Sequence, residues 1–335
     1  MKKPGFILVG LILLTILLIP TFIVIPFVDS GEREVEVAQN ENKPVALDID
    51  SDIDVKVWRA SASVAETVPI EEYVVGVVAS EMPADFEMEA LKAQALAART
   101  YIVKYMINQE EPVNESGAQV TDTIEHQVYK NEDDLRETFG KDYNWKMERI
   151  IEAVRATKGK IITYDGEPID ASFFSTSNGF TENSEDYWAN ELPYLRSVAS
   201  PWDEESPKFL DQTIVPRAKV AEKLGVPLAS PLKVTISKTE GNRVETIEIG
   251  GETFTGRDIR DMFDLRSSDF TMEEKDDYII FKTKGYGHGV GMSQYGANGM
   301  AKEGKTYEEI IHYFYKGVEI SNLKEHEAEI TKEEV

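Results

Sequence analysis

The chain has 335 residues and a formal net charge of −25, with 61 Asp and Glu against 36 Lys and Arg. So acidic a chain is unsuited to binding DNA or RNA, which requires clustered cations against phosphates, and it is repelled by anionic membrane surfaces. With no cysteine it has no disulfide, no thiolate metal site and no Cys nucleophile.

Lys2 and Lys3 precede an apolar run from Gly5 to Val28, about the length a helix needs to span hydrocarbon. No small-x-small cleavage signal follows. Residues 1–28 therefore read as a cytoplasmic stub and an uncleaved transmembrane anchor, with the lysines keeping the N-terminus inside. Residues 29–54 are polar and read as an extracytoplasmic linker. Residues 55–323 read as a single large α+β ectodomain of mixed helices and antiparallel hairpins. A charged tail, 324–335, is expected to fray.

Within the ectodomain, IDVKVWRA alternates as a strand. Pro69 opens a short helix, PIEEYVVGVVAS, and Glu81 is expected just after it. A second helix runs from about Glu87 to Asn108, with Leu91, Ala95, Ala98, Ile102 and Tyr105 spaced three to four apart. Lys92 and Arg99 share one of its faces, two turns apart. WKMERIIEAVRATKG reads as a helix stopped by Gly159. KIITYDGEPIDASFFS reads as a hairpin turning at Asp165-Gly166. KVTISKTEGNRVETIEIGGETFTG reads as strands turning at Gly241 and at Gly250-Gly251. Four glycines from Gly285 to Gly291 flank His288 and suit close approach of backbone to a ligand. A helix begins near Ser293 or Gln294 and stops near Gly304. Thr306-x-x-Glu309 is a capping box for a last helix, closed by Gly317.

Five stretches in this order resemble the stage II sporulation protein D family: EYVVGVVASEMPADFEMEALKAQALAARTY, FFSTSNGFTENSEDYW, LPYLRSV, GRDIRDMFDLRSSDF and GYGHGVGMSQYGANGMAKEGKTYEEIIHYFYKGVEI. The resemblance covers nearly the whole ectodomain and includes the single anchor. It implies a membrane-anchored lytic transglycosylase of peptidoglycan, acting outside the cytoplasm at the septal, engulfing membrane during sporulation. It also implies glycan strands already stripped of stem peptides as substrate. The implied partners are stage II sporulation protein P, an amidase, and stage II sporulation protein M, a membrane protein. No cofactor is implied, and the chain lacks the cysteines with which some relatives hold a metal. The alternative is a glycan-binding scaffold that activates the amidase with dispensable catalysis.

The family's catalytic acid is the Glu of SEMP, here Glu81. Among Val77, Val78, Met82 and Phe86 a carboxyl is poorly hydrated, which raises its pKa. Its structural alternative is an acid paired with Lys92 or Arg99. The expected substrate-binding set is Arg99, Ser175, Thr176, Ser177, Tyr194, Arg196, His288 and Gln294. Arg99 holds a lactyl group or sugar hydroxyl, or forms a structural ion pair. Tyr194 and Arg196 offer an aromatic face and a guanidinium fork, or pack a loop. Ser175, Thr176 and Ser177 offer hydroxyls to a sugar, or line an ordinary surface loop. His288 and Gln294 touch substrate or tie loops to the core. His126, His312 and His326 have no metal-ligand spacing, and His312 is expected to pack.

Overall fold

A computed structural model describes residues 52–109 and 111–331. The expected anchor and most of the linker lie outside them. Among the described residues no helix is long and apolar enough to cross a membrane. The architecture is α+β, with helices packed against several small, mainly antiparallel sheets.

Strands β1 (Asp54–Arg59) and β2 (Val64–Pro69) form a hairpin, and short β3 (Val120–Thr121) joins β1 in parallel. Helix α1 (Ile70–Glu81) follows directly, with Pro69 as its N-cap at φ −54°. Its valines are poor helix formers, but the helix is buried on nearly all sides, so tertiary packing overrides propensity. Glu81 is the last residue of α1 rather than the first residue beyond it.

Helix α2 (Met88–Asn108) is the central element, packed against α1 and, further along the chain, α4 (Tyr143–Ala156) and β4 (Lys160–Tyr164). Ala90, Ala93, Ala95, Ala97 and Ala98 are completely buried, and their small side chains let the neighbouring backbones close in. Between α2 and α4 lies the exposed helix α3 (Glu132–Phe139), opened by an Asn131–Asp134 capping box. Gly76 on α1 serves the same close packing. A Cβ there would meet the Lys130 carbonyl oxygen and the Tyr129 ring, each at 2.5 Å. The segment before Asn131 can therefore lie against α1.

The Asp165-Gly166 hairpin forms as expected, joining β4 to β5 (Glu167–Pro168) with both turn residues at positive φ. It does not continue to Phe174. Instead β6 (Phe173–Phe174) pairs in parallel with β13 (Met292–Ser293), which brings the two polar, glycine-rich loops of the sequence side by side. A short helix, α5 (Ser184–Tyr187), follows β6.

Residues 210–284 carry a hydrophobic core of their own, centred on Phe263, Phe270 and Phe281. Here β7 (Leu210–Pro216), β11 (Phe270–Lys275) and β12 (Tyr278–Lys284) make one antiparallel sheet in the order β11-β12-β7. Strands β8 (Val234–Lys238), β9 (Val244–Ile249) and β10 (Glu252–Thr255) make another, alongside α6 (Arg217–Leu224) and α7 (Gly256–Phe263). The turn after β8 departs from its expected chemistry. Asn242, not Gly241, takes the positive φ, of 61°. Gly241 is instead where a Cβ would strike the Glu182 carboxylate at 2.5 Å.

Helix α8 (Gln294–Lys302) begins at an N-cap, Ser293, whose hydroxyl accepts from the Gly296 N–H. Helix α9 (Tyr307–Phe314) carries the Thr306–Glu309 capping box in full. His312 on it is exposed rather than packed. Beyond β14 (Glu319–Asn322), which pairs with β4, the chain does not fray at once. Leu323, His326 and Ile330 are buried, the last on the short helix α10 (Glu327–Thr331).

Candidate functional site

Arg99 lies on the alanine-rich helix α2. It is fully buried and forked onto Glu71, with Nε to Oε1 at 3.0 Å and Nη2 to Oε2 at 2.6 Å. The Lys160 carbonyl takes a further N–H at 3.2 Å. Lys92 is also engaged, with Glu89 at 2.6 Å. Neither cation is left for Glu81. The substrate role expected for Arg99 gives way to the ion-pair alternative, because no solvent reaches its guanidinium.

Glu81 ends α1 with its side chain half-buried. That burial raises its pKa, against the hydrogen bonds from the Val128 N–H and the Gln294 side chain and the charge of Lys208. Its place at a helix C-terminus, the negative end of the helix dipole, also disfavours ionisation. Each partner is held by the fold. Val128 belongs to the segment admitted by Gly76, and neighbouring Gln127 accepts from the Tyr73 hydroxyl at 3.2 Å. The turn after Glu81 is pinned by Arg149, which donates to the Ala84 carbonyl at 2.8 Å and the Phe86 carbonyl at 2.6 Å. Asn298 accepts from the Glu87 N–H at 2.8 Å.

Gln294, at the first turn of α8, is nearly buried and points its amide inward to Glu81, with Gln94 at 3.5 Å on its other side. The helix start that places it is anchored by Asp203. This buried carboxylate accepts from the Ser293 and Ser200 hydroxyls, from the Ser177 N–H at 2.8 Å and from the Ser177 hydroxyl at 2.9 Å.

That network accounts for two of the three hydroxyls expected to meet sugar. Ser177 is fully buried on Asp203, and Thr176 is buried with its hydroxyl 2.9 Å from Ser206. Ser175 remains half-buried, 3.3 Å from the Thr176 hydroxyl. Tyr194 is buried against Tyr164, its hydroxyl accepting from the Asp170 N–H at 3.1 Å. Arg196 forks between Glu185 and Glu191. The two do not form the expected aromatic-and-fork surface, since one faces inward and the other is held by its own loop. His288 donates from Nε2 to the Phe173 carbonyl at 3.0 Å and accepts at Nδ1 from the Val290 N–H at 3.1 Å. Burial pushes its pKa down to about 4, so the ring is neutral with both nitrogens engaged.

The glycines around His288 serve the fold in the same way. A Cβ on Gly291 would meet the Ser172 carbonyl at 2.0 Å, and one on Gly289 the Arg243 guanidinium at 2.4 Å. The close approach expected of this loop is to protein.

The site also recruits residues that no local pattern singled out. Lys208 lies in an irregular stretch and stands over the Tyr286 ring at 5.4 Å, with Arg266 at 5.6 Å from the same ring. Asp203 and Val128 act through long-range contacts that leave no periodic trace in the sequence.

A family model described as stage II sporulation protein matches residues 59–164, a span holding α1, Glu81 and α2. Stage II sporulation protein D of Bacillus subtilis (strain 168) is 47% identical over 316 residues, covering 91% of this chain and 92% of its own. The protein of that name from Bacillus amyloliquefaciens is 46% identical over 334 residues, covering 96% of each. The chain belongs to the stage II sporulation protein D family. A more distant relative, the amidase enhancer of Bacillus subtilis (strain 168), is 29% identical over 303 residues, covering 74% of this chain and 40% of its own. In this family member Lys208, Asp203 and Gln294 lie beyond the span matched by the family model, and the fold folds them back onto it.

Proposed function

We propose that this sporulation protein is a lytic transglycosylase that cuts peptidoglycan glycan strands, with Glu81 as its acid and base. The observation that carries the reading is the pairing of Arg99 with Glu71, which leaves Glu81 a desolvated carboxyl able to keep its proton. Protonated Glu81 gives its proton to the glycosidic oxygen as the C1–O bond breaks. The carboxylate so formed takes the proton of the muramic acid 6-hydroxyl as that oxygen closes onto C1. The product is a 1,6-anhydro end. The carboxyl returns to its starting state and no water is consumed. A second reading, a glycan-binding scaffold that activates an amidase, is favoured by the likeness to a protein named amidase enhancer.

The test is Glu81→Gln, nearly isosteric but unable to carry the proton. Release of anhydro-muramyl ends from peptide-free strands should fall by about 10²–10⁴-fold or more, read by mass spectrometry of the digest, while strand binding persists. Undiminished release by the folded variant would refute the assignment.

Placement outside the cytoplasm behind an uncleaved anchor, at the septal membrane and beside stage II sporulation proteins P and M, belongs to the same proposal. It is supported by the Lys2-Lys3 flank and the apolar run to Val28. Protease added to intact protoplasts should remove the domain, and its survival would sink the topology.

A further inference from the structure

Gln94 is a polar residue set in the alanine-rich stretch of α2. Ala90, Ala93, Ala95, Ala97 and Ala98 on either side of it are fully buried, and so is Gln94 itself. Its carbonyl oxygen accepts from the Gln294 amide nitrogen at 3.5 Å. Its own amide nitrogen has no hydrogen-bond partner. Buried N–H groups are almost always paired. This orphan belongs to a side chain that Gln294 alone separates from Glu81.

When Glu81 is ionised, Gln294 must offer it nitrogen, because a carboxylate only accepts hydrogen bonds. The same nitrogen then meets the Gln94 oxygen, which leaves the Gln94 nitrogen on the side without an acceptor. When Glu81 holds its proton the preference reverses, since an acid hydroxyl donates. Turning the Gln294 amide over brings its oxygen to the acid. Turning Gln94 over with it brings the orphan N–H onto that same oxygen. What is then left unpaired is the Gln94 carbonyl, which a protein interior tolerates better than an unpaired N–H. The terminal torsion of a glutamine is broad and two-fold, and its oxygen and nitrogen are nearly equal in size, so close-packed alanines do not oppose the turn.

We propose that Gln94 is a positioning residue for the acid: it and Gln294 turn their amides over together as Glu81 loses and regains its proton. The carboxylate thereby meets a donor and the acid an acceptor, and the orphan N–H of Gln94 weights the pair toward the acid. The inference rests on the proposed acid–base role of Glu81, but it concerns a coupled protonation that is read without turnover. The charged and titratable groups that reach Glu81 are Lys208 and Tyr73. On the neighbouring elements, Glu89 and Lys92 of α2 pair with each other, Arg149 of α4 holds the Ala84 and Phe86 carbonyls, and Tyr295 of α8 lies against Phe86. The variants below leave all of these in place.

The experiment follows the full-length chain by nuclear magnetic resonance across a pH titration, with isotope labels in the glutamine side-chain amides and the glutamate carboxyls. The Gln94 amide signal should shift at the midpoint of the Glu81 carboxyl, and Glu81→Gln should abolish that step. A Gln94 amide that ignores the Glu81 midpoint overturns the proposal, and this measurement needs no substitution at Gln94. So does a step that survives in Glu81→Gln, since another group then drives it. Gln94→Met, of similar length, should move the Glu81 midpoint and the alkaline limb of the pH–rate profile to lower pH by about 0.4–1, the worth of one hydrogen bond. With Gln294→Met already present, the same change should leave the midpoint in place. An unmoved midpoint in the single variant makes Gln94 a packing residue and overturns the proposal, as does a shift that persists without Gln294. A parent in which Gln94 and Glu81 titrate together, but which releases no anhydro ends, would refute the proposed cleavage and leave the coupling standing.

Discussion

Glu71 and Glu81 lie on the same helix, one at its first turn and one at its last. The first meets Arg99, and the second meets two hydrogen-bond donors and the more distant Lys208. Arg99→Met should leave the buried Glu71 without its partner and destabilise the fold by about 3–5 kcal/mol. Replacing Glu71 by Leu in the same chain should recover much of that loss in thermal melts. If Arg99→Met melts like the parent but binds glycan poorly, the ion-pair assignment is wrong. Lys208 acts on Glu81 with a definite sign. Its positive charge favours the ionised carboxyl and so lowers a pKa that burial has raised. Lys208→Met should therefore raise that pKa further. Because the proton-bearing form starts the reaction, the alkaline limb of the pH–rate profile should move to higher pH. A limb that stays in place or moves to lower pH would remove Lys208 from the acid's environment.

At the scale of elements, the site depends on how closely α1 and its neighbours approach. Gly76→Ala puts a methyl group where the Lys130 carbonyl and Tyr129 ring now lie. The segment must retreat, taking the Val128 N–H away from Glu81. Activity should fall at least tenfold, with a stability loss of about 1–3 kcal/mol from overpacking; parent-like turnover would show that Val128 is dispensable. Much of this layer was legible from sequence. The Thr306–Glu309 box, the Asp165-Gly166 turn and the Ser293 start of α8 are local chemistry, settled within a few residues. So was the direction of the Glu81 pKa shift, raised by burial. What could not be read were contacts made by the fold alone. Asp203 holds both Ser177, 26 residues before it, and Ser293, 90 residues after it, and β6 leaves its hairpin to join β13. Hydroxyls and glycines that look ready for a ligand in sequence are in part consumed by such contacts. Composition does not distinguish a loop that binds sugar from one that binds another loop.

Over the whole molecule the net charge of −25 sets a long-range bias against anionic ligands. Stem peptides add carboxylates along a glycan strand. Strands freed of peptides by an amidase should therefore be cut faster than intact ones, and the advantage should shrink as added salt shortens the Debye length from about 10 Å at 0.1 M toward 3 Å at 1 M. Equal rates on both substrates at low salt would refute the bias. The part of the molecule with its own core is also bolted to the rest. Arg243, buried in it, donates to the Phe180 carbonyl at 3.2 Å and reaches Glu182 at 3.4 Å, while Glu182 accepts from the Gly241 N–H at 3.2 Å. Asn178 donates to the Gly241 carbonyl at 2.9 Å. Swinging the 210–284 region away would tear all of these at once. A polymer arriving at this surface thus meets a mould already set, and the conformational adjustment on docking falls on the polymer rather than on the protein.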